Sequence, residues 1–445
     1  MAYLSTDKAA ILSELEIQGI DDLFAHIPAE VRKHPGVNFP VSSELELIRE
    51  AKQNASKVFS GVSFSGYGIY EHEIPAAVHH VSTNRNFVTS YTPYQPEVAQ
   101  GTLQALFEYQ SLMAMLTSMD IVNASMYDSA TALAEAIRMD LRTKPGKTGA
   151  KNLVLLSEGI YPYILEVVQT YFPENVKKEF NIEFEMVKLD SRTGSTRWEK
   201  VTNLKNARAV VVMNPTRWGT LEKELSEIKK INPEITLMYG VCEALSLSVL
   251  DAPSESGTDI VWGDGQSLGI PVSFGGPGLG FLAVKNEFMR QMPGRFIGKT
   301  FAKNRDGETV DSYVITLSTR EQHIRREKAT SNICSNQSLM ALRAAAYMAF
   351  MGWEGMQKQA QVCRQNAEYF KENILKKGIK LLFPEGDYFH EVSWMSPDAP
   401  KVMDAGFREG ICAGVSENGV IVSYFSELTN KDEIDRLLGL AHQDI

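Results

Sequence analysis

Hydroxyl groups and one carboxylate lead directly into a strong helix-forming stretch at residues 125–131, which read SMYDSAT. The first N–H groups of a helix have no partner within the helix, so such a terminus is a ready site for an anion. The same residues also suit ordinary helix capping, in which the side chain of Asp128 or Ser129 accepts these N–H groups. The sequence therefore predicts either an anion site or a helix cap at this position.

Other phosphate-binding and metal-binding motifs are incomplete. Neither Gly-Lys-Thr stretch, at 146–148 or 298–300, has the upstream glycine that a P-loop requires. The glycine-rich run 275–280 precedes a predicted strand, whereas a dinucleotide fingerprint joins a strand to a helix. A tight turn is the simpler interpretation of this run. The four scattered cysteines and the eight histidines show no metal-ligand spacing, so the sequence predicts no metal site.

Short apolar runs alternate with amphipathic stretches through the middle of the chain. This pattern is typical of a mostly parallel sheet that helices cover on both faces. The predicted strands are 152–156, 182–189, 209–213, 235–239, 259–262 and 279–284. In such sheets, ligands bind beyond the carboxyl ends of the strands. Polar or glycine-containing ends fall at 157–159, 214–216, 240–243 and 263–265.

Composition excludes several classes of protein. The 445 residues are 44% hydrophobic and 22% charged, which is ordinary for a globular chain and unlike a disordered one. A formal net charge of −10 without a long basic run argues against nucleic acid as a partner. No apolar stretch reaches the roughly 18 residues of a membrane span, and the N-terminus has no targeting pattern. Because cysteines are few and scattered, we expect a cytoplasmic location.

The sequence predicts three parts. Residues 1–75 form an N-terminal helical arm, with one helix beginning at 42–44. Residues 76–320 form a large α/β domain, and residues 321–445 form a smaller C-terminal α+β domain. The last part begins with helical stretches and continues with short strands between Pro- and Gly-containing turns.

Four motifs carry a resemblance to a known family. They are YTPYQPE at 91–97, SMYD at 125–128, GQSLGIP at 265–271 and REQHIRREKATSNIC at 320–334. Together they resemble glycine decarboxylase, the P-protein of the glycine cleavage system, and more closely subunit 1 (alpha) of its two-subunit bacterial form. The resemblance covers essentially the whole chain, and the last motif is long and highly specific.

The resemblance implies a fold and a reaction. The family has the aminotransferase-like fold of enzymes that depend on pyridoxal phosphate (PLP), known as fold type I. It combines a large α/β domain, built on a mostly parallel seven-stranded sheet, with a smaller C-terminal domain. Subunits 1 and 2 (alpha and beta) form an α2β2 assembly that decarboxylates glycine and passes the aminomethyl group to the lipoyl arm of the H-protein.

Two positions indicate that this chain does not hold the cofactor itself. PLP catalysis needs a lysine for the Schiff base and an acid for the pyridine nitrogen. Alignment with the family's catalytic subunit puts Gln266 at the lysine position and Val241 at the place of the acid. Ser129 also stands where the family usually has glycine. The resemblance therefore implies a degenerate pocket here and PLP on the partner beta subunit, with none bound covalently to this chain.

The segment 91–97 is the best candidate for a contribution to the partner's active site. Its two prolines fix an extended backbone that can present Thr92, Tyr94 and Gln95 at low entropic cost. The phenol of Tyr94 can donate a hydrogen bond to substrate or cofactor. Alternatively, the segment only packs the subunit interface. Two other functions stay open: a self-sufficient homodimeric PLP-dependent amino-acid decarboxylase or lyase, and a purely structural scaffold.

Overall fold

The computed structural model describes residues 8–32, 42–89, 91–144, 151–317, 322–334 and 336–442. The chain forms two compact units, Met1–Ser60 and Gly61–Ile445. The predicted limits of the arm, the large domain and the small domain stay predictions, and the boundary at 320–321 lies outside the described residues.

Helices and strands alternate through most of the described chain. The α-helices are α1 (Lys8–Glu14), α2 (Ala29–Arg32), α3 (Glu44–Ala55), α4 (Ala76–Ser82), α5 (Arg85–Val88), α6 (Gln100–Thr117), α7 (Ser129–Thr143), α8 (Pro162–Tyr171), α9 (Glu174–Phe180), α10 (Ser226–Ile231), α11 (Gln322–Arg325), α12 (Ser338–Lys376), α13 (Ala399–Arg408) and α14 (Lys431–His442). The strands are β1 (Val62–Ser63), β2 (Ile121–Val122), β3 (Asn152–Ser157), β4 (Ile182–Val187), β5 (Ala209–Met213), β6 (Thr236–Val241), β7 (Ile260–Asp264), β8 (Gly280–Val284), β9 (Phe296–Lys303), β10 (Thr309–Thr316), β11 (Glu391–Met395), β12 (Ile411–Cys412), β13 (Val415–Glu417) and β14 (Val420–Tyr424). Short 3-10 helices lie at Ile20–Phe24, Trp198–Lys200, Leu204–Asn206, Ala244–Ser248, Pro253–Ser256, Asn286–Gln291 and Arg326–Lys328.

The first unit contains α1, α2 and α3. Helix α3 begins with a capping box: the Ser43 hydroxyl accepts the N–H of Glu46, and the Glu46 carboxylate accepts the N–H of Ser43. This arrangement satisfies N–H groups that the helix itself leaves free. The helix start predicted at 42–44 is confirmed.

A seven-stranded sheet with the order β2-β8-β7-β6-β5-β3-β4 forms the centre of the second unit. Strands β3 to β7 are parallel to one another, and β8 runs antiparallel to its neighbours β7 and β2. Because β2 therefore points the same way as β7, the carboxyl ends of six strands meet at one edge. This is the edge where ligands bind in open α/β sheets.

Strand β5 shows why these strands appear in the sequence as continuous apolar runs. Val210 and Val212 belong to the core cluster that contains residues of α6 and α12, whereas Ala209, Val211 and Met213 belong to the cluster with residues of α7 and α8. All five are fully buried, because helices cover both faces of the sheet. The predicted mostly parallel sheet is confirmed.

A smaller sheet lies in the C-terminal part of the second unit. Its order is β11-β14-β13, with both pairings antiparallel, and it shares a core cluster with residues of α13 and α14. Strand β1 pairs in parallel with β12, with Val62 opposite Ile411, so the start of this unit is joined to its C-terminal part. The predicted smaller C-terminal sheet domain is confirmed.

The antiparallel hairpin β9–β10 was not predicted from the sequence. Most of β9 is exposed, so neither of its faces gives a clear apolar alternation. Its turn contains Asp306-Gly307, a dipeptide typical of hairpin turns, with Gly307 at a φ of 79°. Of the described helices, none combines the length and the apolar character that crossing a membrane requires.

Gly240 in β6 tests how tightly the sheet packs on the α7 side. A Cβ at this position would lie well inside van der Waals contact with the ring of Trp262 on β7. We expect Gly240→Ala to lower the free energy of unfolding by about 1–3 kcal/mol, because the added methyl group and the Trp262 ring would compete for the same space in a packed core. The measurement is urea-induced unfolding.

Gly101 provides the matched control for this substitution. It lies in α6, and a Cβ there would meet nothing within 4 Å. Gly101→Ala should therefore raise stability by up to about 1 kcal/mol through helix propensity alone. Equal effects of the two substitutions would contradict the packing argument.

Candidate functional site

A cavity of about 910 Å³ lies at the carboxyl ends of β2 and β7; we call it the strand-end cavity. It is bounded by the segment after β1, the starts of α7 and α8, and the loop before β8. Its lining residues are Gly66, Tyr67, Gly68, Ile69, Tyr127, Asp128, Ser129, Ala130, Tyr163, Glu166, Val167, Thr170, Asp264, Gln266, Gly275, Gly276, Pro277, Gly278 and Gln337. It therefore lies where the sheet topology and the sequence both place the candidate chemistry.

Gln266 ties the segment 66–72 to the end of β7. Its Oε1 accepts the N–H of Tyr70 at 2.9 Å, and its Nε2 donates to the carbonyls of Tyr70 and Ile270 at 2.9 and 2.7 Å. The side chain is buried, and both N–H groups of its amide are used. Gln266 is thus a structural clamp on the backbone of this segment.

Glu391 binds the same segment from β11. Its Oε1 accepts the N–H of Tyr67 at 3.1 Å, and its Oε2 accepts the phenol of Tyr70 at 3.0 Å. The Tyr70 phenol also lies 2.9 Å from that of Tyr161. Burial raises the pKa of Glu391 above its usual value, and the charge of His390 together with the hydrogen bonds from the three tyrosines only partly opposes this rise.

The end of β6 offers no carboxylate at Val241, which is fully buried in the core. The next residue, Cys242, is also buried, and its Sγ lies 3.6 Å from Sδ of Met213. Burial raises the pKa of the Cys242 thiol far above its usual value. These two side chains therefore present neither an anion nor a thiolate to the cavity.

Glu243, one residue further, belongs to what we call the His72 cluster: His72, Glu243 and Glu427. Nε2 of His72 lies 3.0 Å from the Glu243 carboxylate and Nδ1 lies 2.8 Å from that of Glu427. Burial by itself raises the pKa of Glu243, but His72 and His390 outweigh it and hold this pKa far below its usual value. The cluster joins the segment 66–72 to the large sheet and to the C-terminal part of the chain.

One group in the described residues has the ligand types for a metal ion. Nδ1 of His72, Sγ of Cys363 and a carboxylate oxygen of Glu427 lie within 4.8 Å of one another. The Glu427 oxygen is already within hydrogen-bond distance of both other atoms, at 2.8 and 3.2 Å. The geometry is that of a buried hydrogen-bonded network.

The start of α7 is capped, as one of the two sequence interpretations of residues 125–131 predicted. Oδ1 of Asp128 accepts the N–H of Thr131 at 2.7 Å. Asp264 adds a second carboxylate beside this terminus, and its Oδ1 accepts the N–H groups of Gln266 and Leu279 at 3.0 and 2.8 Å. Burial raises the pKa of Asp264 to about 6, and Asp128 adds to this rise. Ser129 is buried directly behind the cap.

The segment that contains Thr92, Tyr94 and Gln95 lines a different cavity, of about 550 Å³. This cavity shares no lining residue with the strand-end cavity. The Tyr94 side chain is 49% exposed, and the guanidinium of Arg295 lies 5.5 Å from the centre of its ring. Pro93 is buried between exposed or half-buried neighbours, so the segment is anchored at one point and accessible around it.

Comparison with known proteins places the chain in a family. The family model for the glycine cleavage system P-protein matches residues 1–440. The chain belongs to this family. Proteins named probable glycine dehydrogenase (decarboxylating) subunit 1 are similar over nearly their whole length. The one from Geotalea uraniireducens (strain Rf4) is 40% identical, covering 97% of this chain and 96% of that protein. The one from Listeria monocytogenes serotype 4b (strain CLIP80459) is also 40% identical, covering 96% and 95%.

Solved structures agree with this placement. A glycine decarboxylase (P-protein) of the glycine cleavage system, solved in an inhibitor-bound form, is 33% identical with a TM-score of 0.85, and the match covers 100% of both chains. An aspartate aminotransferase from Thermus thermophilus, at 13% identity and a TM-score of 0.56, shares the fold alone and covers 86% of this chain and 98% of its own. The fold is therefore that of PLP fold type I enzymes, as predicted.

Among the described residues that line the strand-end cavity of this P-protein family member, none is a lysine that could hold PLP covalently. Gln266 offers an amide, whose nitrogen is not nucleophilic and is already hydrogen-bonded, and Val241 offers no acid. The carboxylates of Asp128 and Asp264 both line this cavity near the start of α7. Two carboxylates in one cavity disfavour the binding of an anion there.

Sequence reasoning missed Asp264 and the His72 cluster as functional candidates. Both Asp264 and Glu243 fall within strand ends that the sequence identified, so position was the available signal. His72 lies 171 residues from Glu243 in the sequence and 355 residues from Glu427. No local pattern links residues that far apart.

Proposed function

We propose that this chain is a cofactor-free subunit of a glycine dehydrogenase (decarboxylating) and completes a second subunit that carries PLP. The observation that carries this proposal is Gln266, committed by three hydrogen bonds to the backbone of Tyr70 and Ile270. When bound to the partner subunit, PLP supplies the electron sink for decarboxylation. In the α2β2 assembly, glycine then loses CO2 and its aminomethyl group passes to the lipoyl arm of the H-protein.

The contribution of this chain is the segment with Thr92, Tyr94 and Gln95, which reaches the active site of the partner subunit. The buried Pro93 and the contact between Tyr94 and Arg295 support this role, because they hold an exposed phenol in place before any partner binds. The Tyr94 phenol then donates a hydrogen bond, and Gln95 orients the substrate. The free cysteines of the described chain suit the reducing cytoplasm, which we propose as its location.

A test of the cofactor assignment uses the full chain alone. After PLP is added and the excess is removed, we expect no visible absorption band of an internal aldimine and no covalent adduct after borohydride reduction. The chain reconstituted with subunit 2 is the positive control. A reducible aldimine on this chain alone would favour the self-sufficient decarboxylase or lyase instead.

A second test addresses the cross-subunit contribution. In the reconstituted complex we expect Tyr94→Phe to lower glycine-dependent CO2 exchange about 10-fold, since one hydrogen bond to a reacting or charged group contributes roughly 1.5 kcal/mol. Tyr91→Phe, at a neighbouring phenol that is 81% exposed, is the matched control and should leave the exchange unchanged. If Tyr94→Phe and Gln95→Ala both leave the exchange intact in the assembled complex, the chain is a scaffold.

A further inference from the structure

The strand-end cavity combines carboxylates with aromatic walls. Asp128, Asp264 and Glu166 line it, and no lysine, arginine or histidine is among its described lining residues. None of the three takes part in an ion pair with another described residue. A cavity with this lining repels anions and favours a cation.

The deepest of these carboxylates is Asp264, which is only 7% exposed. Burial raises its pKa most, backbone hydrogen bonds partly oppose this rise, and the charge of Asp128 adds to it because two carboxylates disfavour each other's ionised form. A cation beside these two carboxylates would offset the repulsion between them. Glu166 is exposed and lies at the rim, where a second positive charge would find a partner.

The walls suit an organic cation rather than a bare metal ion. Tyr67, Tyr127 and Tyr163 line the cavity, and aromatic faces attract ammonium groups and pack against hydrocarbon. A volume of about 910 Å³ lies within the range of small-molecule sites and far exceeds what one ion needs. The chemistry points to a hydrocarbon chain that carries more than one ammonium group.

We propose that the strand-end cavity binds an aliphatic diamine or polyamine. One ammonium group lies against Asp264 and Asp128, the hydrocarbon chain packs among the tyrosines, and a second ammonium group pairs with Glu166. This goes beyond the proposed function and requires only that the cavity holds no PLP. The aldimine test decides that point separately.

The test is calorimetric titration of the full chain with 1,4-diaminobutane and with spermidine. Succinate, which has the same four-carbon length but two negative charges, and inorganic phosphate are the control ligands. We expect saturable binding of both amines and none of succinate or phosphate. 1-Aminobutane, with a single ammonium group, should bind more weakly than 1,4-diaminobutane.

Variants assign the binding to the cavity. Asp264→Asn should weaken 1,4-diaminobutane binding at least about 10-fold through loss of a charged partner. Glu166→Gln, at the exposed rim, should preserve the fold and remove most of the advantage of the diamine over 1-aminobutane. Glu234→Gln, an exposed carboxylate just before β6 at the opposite edge of the sheet, is the matched control and should change neither affinity. No binding of either amine at millimolar concentration, equal binding of succinate, or affinities that both cavity variants leave unchanged would overturn the proposal.

Discussion

Replacing His72 with leucine is expected to lower the free energy of unfolding by about 3–5 kcal/mol, the largest stability effect that the structure predicts. The substitution leaves the carboxylates of Glu243 and Glu427 without the imidazole that lies 3.0 and 2.8 Å from them. Breaking a buried ion pair costs more than the pair itself contributes, because a desolvated charge remains. Equilibrium unfolding in urea at pH 6 measures the effect.

The stabilisation by the His72 cluster has a defined pH window. Burial by itself lowers the pKa of His72, but Tyr424 and Glu243 outweigh it and raise this pKa well above 6.5. Burial raises the pKa of Glu427, but the hydrogen bond with His72 outweighs it and lowers this pKa from 4.5 to about 2. The contribution of His72 is complete below pH 6.5 and is lost as the pH rises through its folded-state pKa. That of Glu427 is complete above pH 4.5 and is lost as the pH falls toward 2.

His80→Leu is the control for His72→Leu, because His80 is exposed on α4 and should tolerate the change within about 0.5 kcal/mol. The double variant His72→Leu with Glu427→Gln should recover part of the lost stability, since one stranded charge is removed. Two results would show that the His72 cluster carries no net charge interaction. One is a wild-type free energy of unfolding that does not change with pH above 4.5, and the other is a loss of stability in His72→Leu as small as that in His80→Leu.

Gln266→Leu is expected to cost about 3 kcal/mol. The substitution leaves the N–H and carbonyl of Tyr70 and the carbonyl of Ile270 without partners in a buried site. Each unsatisfied buried group costs about 1–3 kcal/mol, partly offset by the greater apolar character of leucine. Hydrogen exchange should locate the loss, because the amide of Tyr70 loses its acceptor.

Gln357→Leu is the matched control for Gln266→Leu. Gln357 is half-buried and donates one hydrogen bond, to the carbonyl of Ser248 at 3.0 Å. It should cost only about 1 kcal/mol and leave the exchange of the Tyr70 amide unchanged. If the two variants lose equal stability, or if exchange at Tyr70 is unaffected by Gln266→Leu, the clamp is not the source of order in the segment 66–72.

The large sheet could be predicted from local sequence patterns, because its buried strands appear as short apolar runs. Strand β5 is apolar at all five positions and fully buried, β8 is also buried at all five positions, and β3 is buried at its last four. Strand β2, with only two residues, is too short to show a pattern, and the half-exposed hairpin β9–β10 shows little alternation. The strands that could be predicted from the sequence are therefore those buried on both faces of the sheet.

Only part of the candidate site could be predicted from the sequence. Position on the sheet edge pointed to the strand ends at 240–243 and 263–265, and the resemblance singled out Val241 and Gln266. The acceptors and donors that Gln266 and Glu243 contact were hidden, because they lie 196 residues away at Tyr70 and 171 residues away at His72. The sequence named Asp128 as a possible cap of α7, but it could not show that Asp264 at the end of β7 lines the same cavity.

The segment 66–72 constrains the order in which this chain folds during synthesis. Its anchors at Glu391 and Glu427 lie 321 and 355 residues downstream of Tyr70 and His72. At about 5–20 residues per second, a ribosome needs roughly 20–70 s to make that stretch. Throughout this interval the segment has no access to its C-terminal acceptors, so it docks only after translation is nearly complete. The site therefore closes last, and a truncated chain that lacks the C-terminal part leaves its N-terminal segment exposed to proteases.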